Sequence, residues 1–212
     1  MTQKLFWDDP YQTQLTTRVA GVSGQQVRLE QTIFYAFSGG QESDHGTIGA
    51  YPVLEARKDG LDIVYTLPDT HDLQVGSVVE VHIDWDRRYK LMRLHFAAEM
   101  ILQCVYQRCP GIERIGAHIG EDKSRIDFAR DGSIAVLFPE LEQAAAGLVE
   151  AGSPIITAFE DEPSQRRYWK VEGFASMPCG GTHPRTTAEI GGIKLKRKNI
   201  GKGKERIEIS LA

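Results

Sequence analysis

Near Arg87 the chain changes its hydrophobic rhythm, and that switch limits what it can fold into more than any other feature. Upstream, stretches 26–35, 61–67 and 77–85 are rich in β-branched and aromatic residues and are separated by glycine-rich turns. The last of them alternates cleanly, as a half-buried strand must. Downstream, from 89 to about 108, there is no glycine or proline, and Leu91, Leu94, Ala98, Leu102 and Val105 recur at helical steps until Pro110-Gly111 stops the pattern. A second helix is predicted over 139–150, strands over 155–159 and 168–174, and a hairpin over 190–211 with its turn near 199–203. The expected class is therefore α+β. A small β-barrel-like domain spans 1–88, and an α+β domain with an antiparallel sheet spans 89–212, with the boundary near 86–90. No internal repeat or low-complexity segment is evident.

Composition narrows the function classes. At 41% hydrophobic and 25% charged residues the chain can build a core, and no apolar run approaches the roughly 20 residues of a membrane helix. No membrane partner and no DNA are expected. The first ten residues lack the apolar centre of a secretory signal, and three cysteines (Cys104, Cys109, Cys179) are too few and odd in number for a disulfide framework. A reducing, cytoplasmic location is expected. Cys104 and Cys109 fall on different helix faces and read as core filling. The net charge of −4 is uneven: residues 1–88 carry 7 basic against 13 acidic side chains, and the remainder 18 against 16. Within 194–206, Lys194, Lys196, Arg197, Lys198, Lys202, Lys204 and Arg206 face one acid, Glu205. Such a ribbon is either a solvated hairpin or a phosphate-binding surface.

Two pairs of side chains carry chemistry. His95 and Glu99 stand four positions apart on the predicted helix and share a face. Cys179 and His183 enclose Gly180-Gly181-Thr182, and the flanking Pro178 and Pro184 exclude a helix. Imidazole, carboxylate and thiolate are all zinc donors. With 79 residues between Glu99 and Cys179, a shared ion would be assembled by the fold, not by a finger-like spacing. The alternative is a core histidine, a surface acid, a buried cysteine and a loop histidine.

Several segments resemble the alanyl-tRNA editing proteins called AlaX, which are related to the editing domains of alanyl- and threonyl-tRNA synthetases. They are Thr32-Ile33-Phe34-Tyr35 running on to Ser38-Gly39-Gly40-Gln41 and Asp44-His45-Gly46, then Arg93-Leu94-His95 through Glu99, Ser124-Arg125-Ile126-Asp127-Phe128, Cys179-Gly180-Gly181-Thr182-His183 and Glu189-Ile190-Gly191. They keep the family's order from about residue 5 to the C-terminus, and they match its medium-length, two-domain type. The resemblance implies a zinc-dependent hydrolase that deacylates mischarged tRNA(Ala), chiefly seryl-tRNA(Ala) and possibly glycyl-tRNA(Ala), with aminoacylated tRNA as its partner. Editing of this kind is needed because an apolar site discriminates poorly against an added hydroxyl or a lost methyl.

The implied zinc ligands are His95, Cys179 and His183, with the fourth position disputed. The family's usual His-x-x-x-His is His95-x-x-x-Glu99 here, so Glu99 either ligates or stands back as a general base. Ligation is preferred. Gly39, Gly40, Gln41 and Thr182 are assigned to a substrate or tRNA loop. Lys194, Lys196, Arg197, Lys198, Lys202 and Lys204 are assigned to the tRNA backbone. Two other readings remain: an RNA-binding module with a structural zinc, and a related zinc hydrolase acting on another aminoacyl-tRNA.

Overall fold

The structure, a computed structural model, describes residues 1–212 and divides into two compact units. The first holds residues 1–38 and 42–89; the second holds 39–41 and 90–212. The short segment Gly39–Gln41 thus packs with the second unit although the chain on both sides of it packs with the first.

The first unit is β-rich. Its strands are β1 (Gln3–Lys4), β2 (Gln14–Ser23), β3 (Gln26–Leu29), β4 (Gln31–Thr32), β5 (Gly46–Ile48), β6 (Tyr51–Pro52), β7 (Glu55–Asp59), β8 (Asp62–Thr66) and β9 (Val78–Ile83). Seven form one sheet in the order β6-β5-β9-β2-β3-β8-β7, and β1 pairs with β4 in parallel. The sheet bends at β2, whose first half pairs with β9 and whose second half, past a bulge between Val19 and Gly21, pairs with β3. The edges at β6 and β7 stay unpaired with each other, so the sheet is curled but open. Val79, Val81 and Ile83 of β9 point inward with Val19, Val27, Leu29 and Ile63, as the alternation requires.

One expected strand is shorter than its composition suggests. The ladder over 26–35 stops at Thr32, yet Ile33, Phe34, Tyr35 and Ala36 are buried. Side chains satisfy this irregular backbone instead. Thr32 Oγ1 accepts from Phe34 N at 3.0 Å, and Asp44 Oδ2 accepts from Tyr35 N at 2.7 Å. Arg88 donates to the Ile33 carbonyl at 2.6 Å.

Helix α1 (Trp85–Arg108) begins four residues earlier than its apolar spacing predicts, because Asp84 caps it, its Oδ1 accepting from Arg87 N at 3.1 Å. Its residues through Tyr89 belong to the first unit and the rest to the second. The expected stripe is also too narrow. Met92, Phe96, Ala97, Met100, Ile101 and Cys104 are buried along with the predicted face. A helix apolar on nearly all sides is a central one. No helix is long and apolar enough to cross a membrane.

The second unit adds β10 (Glu113–Ile119), β11 (Ser124–Ala129), α2 (Phe138–Ala151), β12 (Ile156–Asp161), β13 (Arg166–Val171), β14 (Ala175–Pro178), β15 (Ile193–Asn199) and β16 (Lys204–Leu211). Two antiparallel sheets result, ordered β10-β11-β16-β15 and β12-β13-β14. Helix α2 starts with Pro139 in its first turn and ends on left-handed Gly152. The buried face of α1 shares one core with Ile126, Phe128, Ile207 and Ile209 of the first sheet and with Trp169 and Val171 of the second. The architecture is α+β.

Candidate metal centre

Helical spacing sets His95 and Glu99 on one face of α1, and packing buries both, at 6% and 7% exposure. A buried imidazole and a buried carboxylate require partners. These come from the loop that leaves β14. Cys179 is tethered there by its backbone N–H to the Arg167 carbonyl at 2.9 Å, and its Sγ accepts from Gly181 N at 3.3 Å. His183 follows, buried, with its ring edge-on to Phe96 at 5.6 Å between centroids.

The two pairs meet. The four ligand atoms all lie within 4.8 Å of one another. Cys179 Sγ is 3.5 Å from His95 Nε2 and 3.5 Å from His183 Nε2. Glu99 turns one oxygen to each imidazole, Oε1 at 3.2 Å from His95 Nε2 and Oε2 at 3.0 Å from His183 Nε2. Bond lengths typical of zinc, about 2.0 Å to N or O and 2.3 Å to S, give tetrahedral edges of about 3.3 Å for N–O and about 3.6 Å for S–N. The donors therefore fit such an ion in both chemistry and spacing.

Electrostatics within the cluster agree with that. Burial pushes the Cys179 thiol well above its ordinary value, and the Glu99 charge adds to the shift. Burial alone would raise the Glu99 carboxyl, but the attraction of His95 and the hydrogen bonds from His183 and His95 outweigh it and hold the group below the usual carboxylate range. Burial lowers His183, with Glu99 opposing. A thiolate crowded against a carboxylate is costly on its own, and a divalent cation removes that cost. The ring nitrogens turned away from the cluster differ: His95 Nδ1 meets Gln41 Oε1 at 2.5 Å, whereas His183 Nδ1 is buried without a partner.

A small cavity of about 30 Å³ borders the cluster on its His95 and Glu99 side. Its remaining wall is Gly39, Ala98, Leu102, Arg114, Ala117, Ile119 and Ile126. Sequence reasoning missed the β10 contribution, Arg114, Ala117 and Ile119. The strand carries Gly116 in its interior and a bulge between Arg114 and Gly116, so it shows no clean alternation.

The other expected residues fall as follows. Gly39 borders the cavity, and Gly40 lies on β10. Gln41 and Thr182 are buried and joined by a hydrogen bond from Gln41 Nε2 to Thr182 Oγ1 at 3.1 Å. Lys194, Lys196, Lys198, Lys202 and Lys204 are exposed. Arg197, exposed like the lysines, also grips the buried Glu205 with two hydrogen bonds, of 2.5 and 2.6 Å, so its charge is partly neutralised there. Cys104 is buried in the core.

A fold with this sheet pair and donor loop defines a class of domain. The family described as "Threonyl and Alanyl tRNA synthetase second additional domain" matches residues 168–208, from β13 through the Cys179–His183 loop to β16. The alanyl-tRNA editing protein AlaX-M of Pyrococcus horikoshii is 35% identical over the whole of this chain and 98% of its own length. AlaX-M of Methanosarcina barkeri is 33% identical over the whole chain and 99% of its length. An alanine–tRNA ligase of Methanococcus maripaludis is 30% identical over 99% of this chain, which spans 26% of that larger protein. The chain belongs to the AlaX-M family of alanyl-tRNA editing proteins.

Proposed function

We propose that this protein is a trans-editing aminoacyl-tRNA deacylase that hydrolyses the ester of mischarged tRNA(Ala), chiefly seryl-tRNA(Ala) and also glycyl-tRNA(Ala), at a zinc centre held by His95, Glu99, Cys179 and His183. The observation that carries the reading is the convergence of four donors beside a cavity. Bound there, zinc would supply Lewis acidity to a carbonyl or to a water at neutral pH.

The chain's own residues do the rest. Room of about 30 Å³ admits about two water-sized groups, the scale of a serine hydroxymethyl. Ala98, Leu102, Ile119 and Ile126 give it an apolar wall against which a bulkier side chain would clash. Reading a hydroxyl needs a polar partner. Thr32 is bonded to Tyr65 Oη at 2.6 Å, Gln41 and Thr182 are bonded to each other, and Glu99 is held among the metal donors, which leaves Arg114 on the cavity wall. The exposed lysines of the β15–β16 hairpin are assigned to tRNA phosphates, and Arg197 is withdrawn from that set because Glu205 holds it. The full-length similarity to AlaX-M editing proteins, with a cavity beside the donors, favours the enzyme over an RNA-binding module.

The test is deacylation of seryl-tRNA(Ala) with and without a chelator, alongside metal analysis. Cys179→Ala is expected to lose bound zinc and at least about 100-fold in rate together, since it removes one of four donors. Full activity in a zinc-free Cys179→Ala protein would overturn the reading.

A further inference from the structure

We infer that Gln41 is a positioning residue of the donor cluster: it fixes His95 in the tautomer whose Nε2 lone pair points at the ion, and it ties the Cys179–His183 loop to that same imidazole. The inference rests on the metal reading of the cluster and assigns its supporting hydrogen bonds. An imidazole can ligate through Nε2 only when its proton sits on Nδ1. Gln41 Oε1, an obligate acceptor, lies 2.5 Å from Nδ1, and the amide Nε2 of Gln41 donates to Thr182 Oγ1 at 3.1 Å. Thr182 directly precedes His183, so one fully buried amide contacts the helix-borne donor and the loop that carries the other pair.

Three glycines, from distant parts of the chain, make this contact possible. Gly39 and Gly40 have φ of +61° and +88°. They lay the segment along β10, where the Gly40 carbonyl accepts from Ile119 N at 2.8 Å and Gln41 forms a parallel bridge to Ile119. A side chain at Gly40 would begin 2.9 Å from the Ala117 carbonyl oxygen. On the other side, a side chain at Gly181 would begin 2.0 Å from His95 Cε1 and 2.9 Å from Gln41 Oε1. The missing Cβ at Gly40 thus lets the segment lie on β10, and the missing Cβ at Gly181 leaves room for the His95–Gln41 bond. Gln41 does not line the cavity, so its part is played through His95 and not on the substrate.

The test uses the full chain with Gln41→Glu and Gln41→Met. Glutamate still accepts from Nδ1–H, and the Thr182 hydroxyl can donate to it; methionine can do neither. Zinc affinity, measured by competition with a chelating dye, is expected to stay within a few-fold of wild type in Gln41→Glu. In Gln41→Met it should fall about 10- to 100-fold, the usual cost of losing a hydrogen bond to a ligating histidine. In the metal-free chain, where the Glu99 carboxylate also faces Nε2 at 3.2 Å, ¹⁵N chemical shifts of the imidazoles should report a proton on His95 Nδ1 in wild type and Gln41→Glu, and a proton on Nε2 alone in Gln41→Met. Wild-type affinity in Gln41→Met, an equal loss in both variants, or a wild-type His95 with no proton on Nδ1 each overturns the inference. Failure of the wild-type chain to bind zinc while its His95 is Nδ1–H removes the metal reading alone.

Discussion

Residue by residue, the candidate site depends on what is missing as much as on what is present. Gly181 has an ordinary backbone angle, so its need for glycine comes from the 2.0 Å approach of the His95 ring and not from φ. Gly181→Ala must push the imidazole off its line to the cluster or move the whole loop. Zinc affinity is expected to fall at least about 10-fold with the secondary structure kept, a result that calorimetry and circular dichroism would read together. Unaltered affinity would mean that the loop relaxes freely. The spacing of His95 to Glu99 and of Cys179 to His183 marks two candidate pairs, and the family resemblance is what joins them into one donor set. What spacing cannot express is a neighbour made through space. The facing of Gln41 to His95 spans 54 positions, and that of Gln41 to Thr182 spans 141. The polarity of Gln41 and Thr182 is visible in the sequence; their burial is not.

At the level of elements, period decided which ones could be read. Helix α1, β9 and the terminal hairpin announce themselves by alternation or by helical steps. Strands β2 and β10 do not, because each carries an interior glycine and a bulge that resets its faces. The hairpin also hides a structural ion pair inside what looks like a uniform basic ribbon. Glu205, buried at the start of β16, accepts from Arg197, from Asn199 at 3.0 Å and from Ile134 N at 3.0 Å, and so pins the turn after β11 to the hairpin. Arg197 above all, with the Ile134 amide and Asn199 behind it and burial opposing, holds its carboxyl at about 2 against an ordinary 4.5. The folded-state value is depressed, so the stabilisation is complete above the unfolded value. It is lost as pH falls from about 4.5 towards 2. Glu205→Gln is expected to cost about 2 kcal/mol near neutral pH, the loss of charge-assisted bonds. Its urea midpoint should converge on that of the wild type as acid protonates the native carboxylate. A gap that persists undiminished at about pH 2 would show that the bonds matter by shape and not by charge.

Across the whole molecule, charge is partitioned: the −6 balance of residues 1–88 opposes +2 over the remainder, and the positive excess gathers on one hairpin. On β15, Lys194, Lys196 and Lys198 alternate to one face, opposite Ser210, Glu208 and Arg206 of β16. The carboxylates nearby are already engaged, Glu208 by Lys123 at 2.8 Å and Asp127 by Arg206 at 2.6 Å. None of the three lysines forms a direct ion pair, although Lys196 and Lys198 lie near enough to Glu208 to help Lys123 hold its carboxyl down. An acidic protein that acts on RNA needs such a local concentration of cations, because its net field repels the substrate. Each lysine that neutralises a phosphate releases counterions, so binding falls with salt at a slope set by the number of contacts. Replacing Lys194, Lys196 and Lys198 together by alanine is expected to weaken tRNA binding at low salt. The slope of log K against log salt should decrease by about one for each lysine in contact, while zinc content and the deacylation rate at saturating substrate are unchanged. The measurement is a binding titration over a series of salt concentrations with wild type and triple variant in parallel. An unchanged slope would assign the tRNA path elsewhere on the surface and leave the hairpin as a solvated edge. A slope that drops together with zinc content would instead show that the hairpin supports the fold of the second unit.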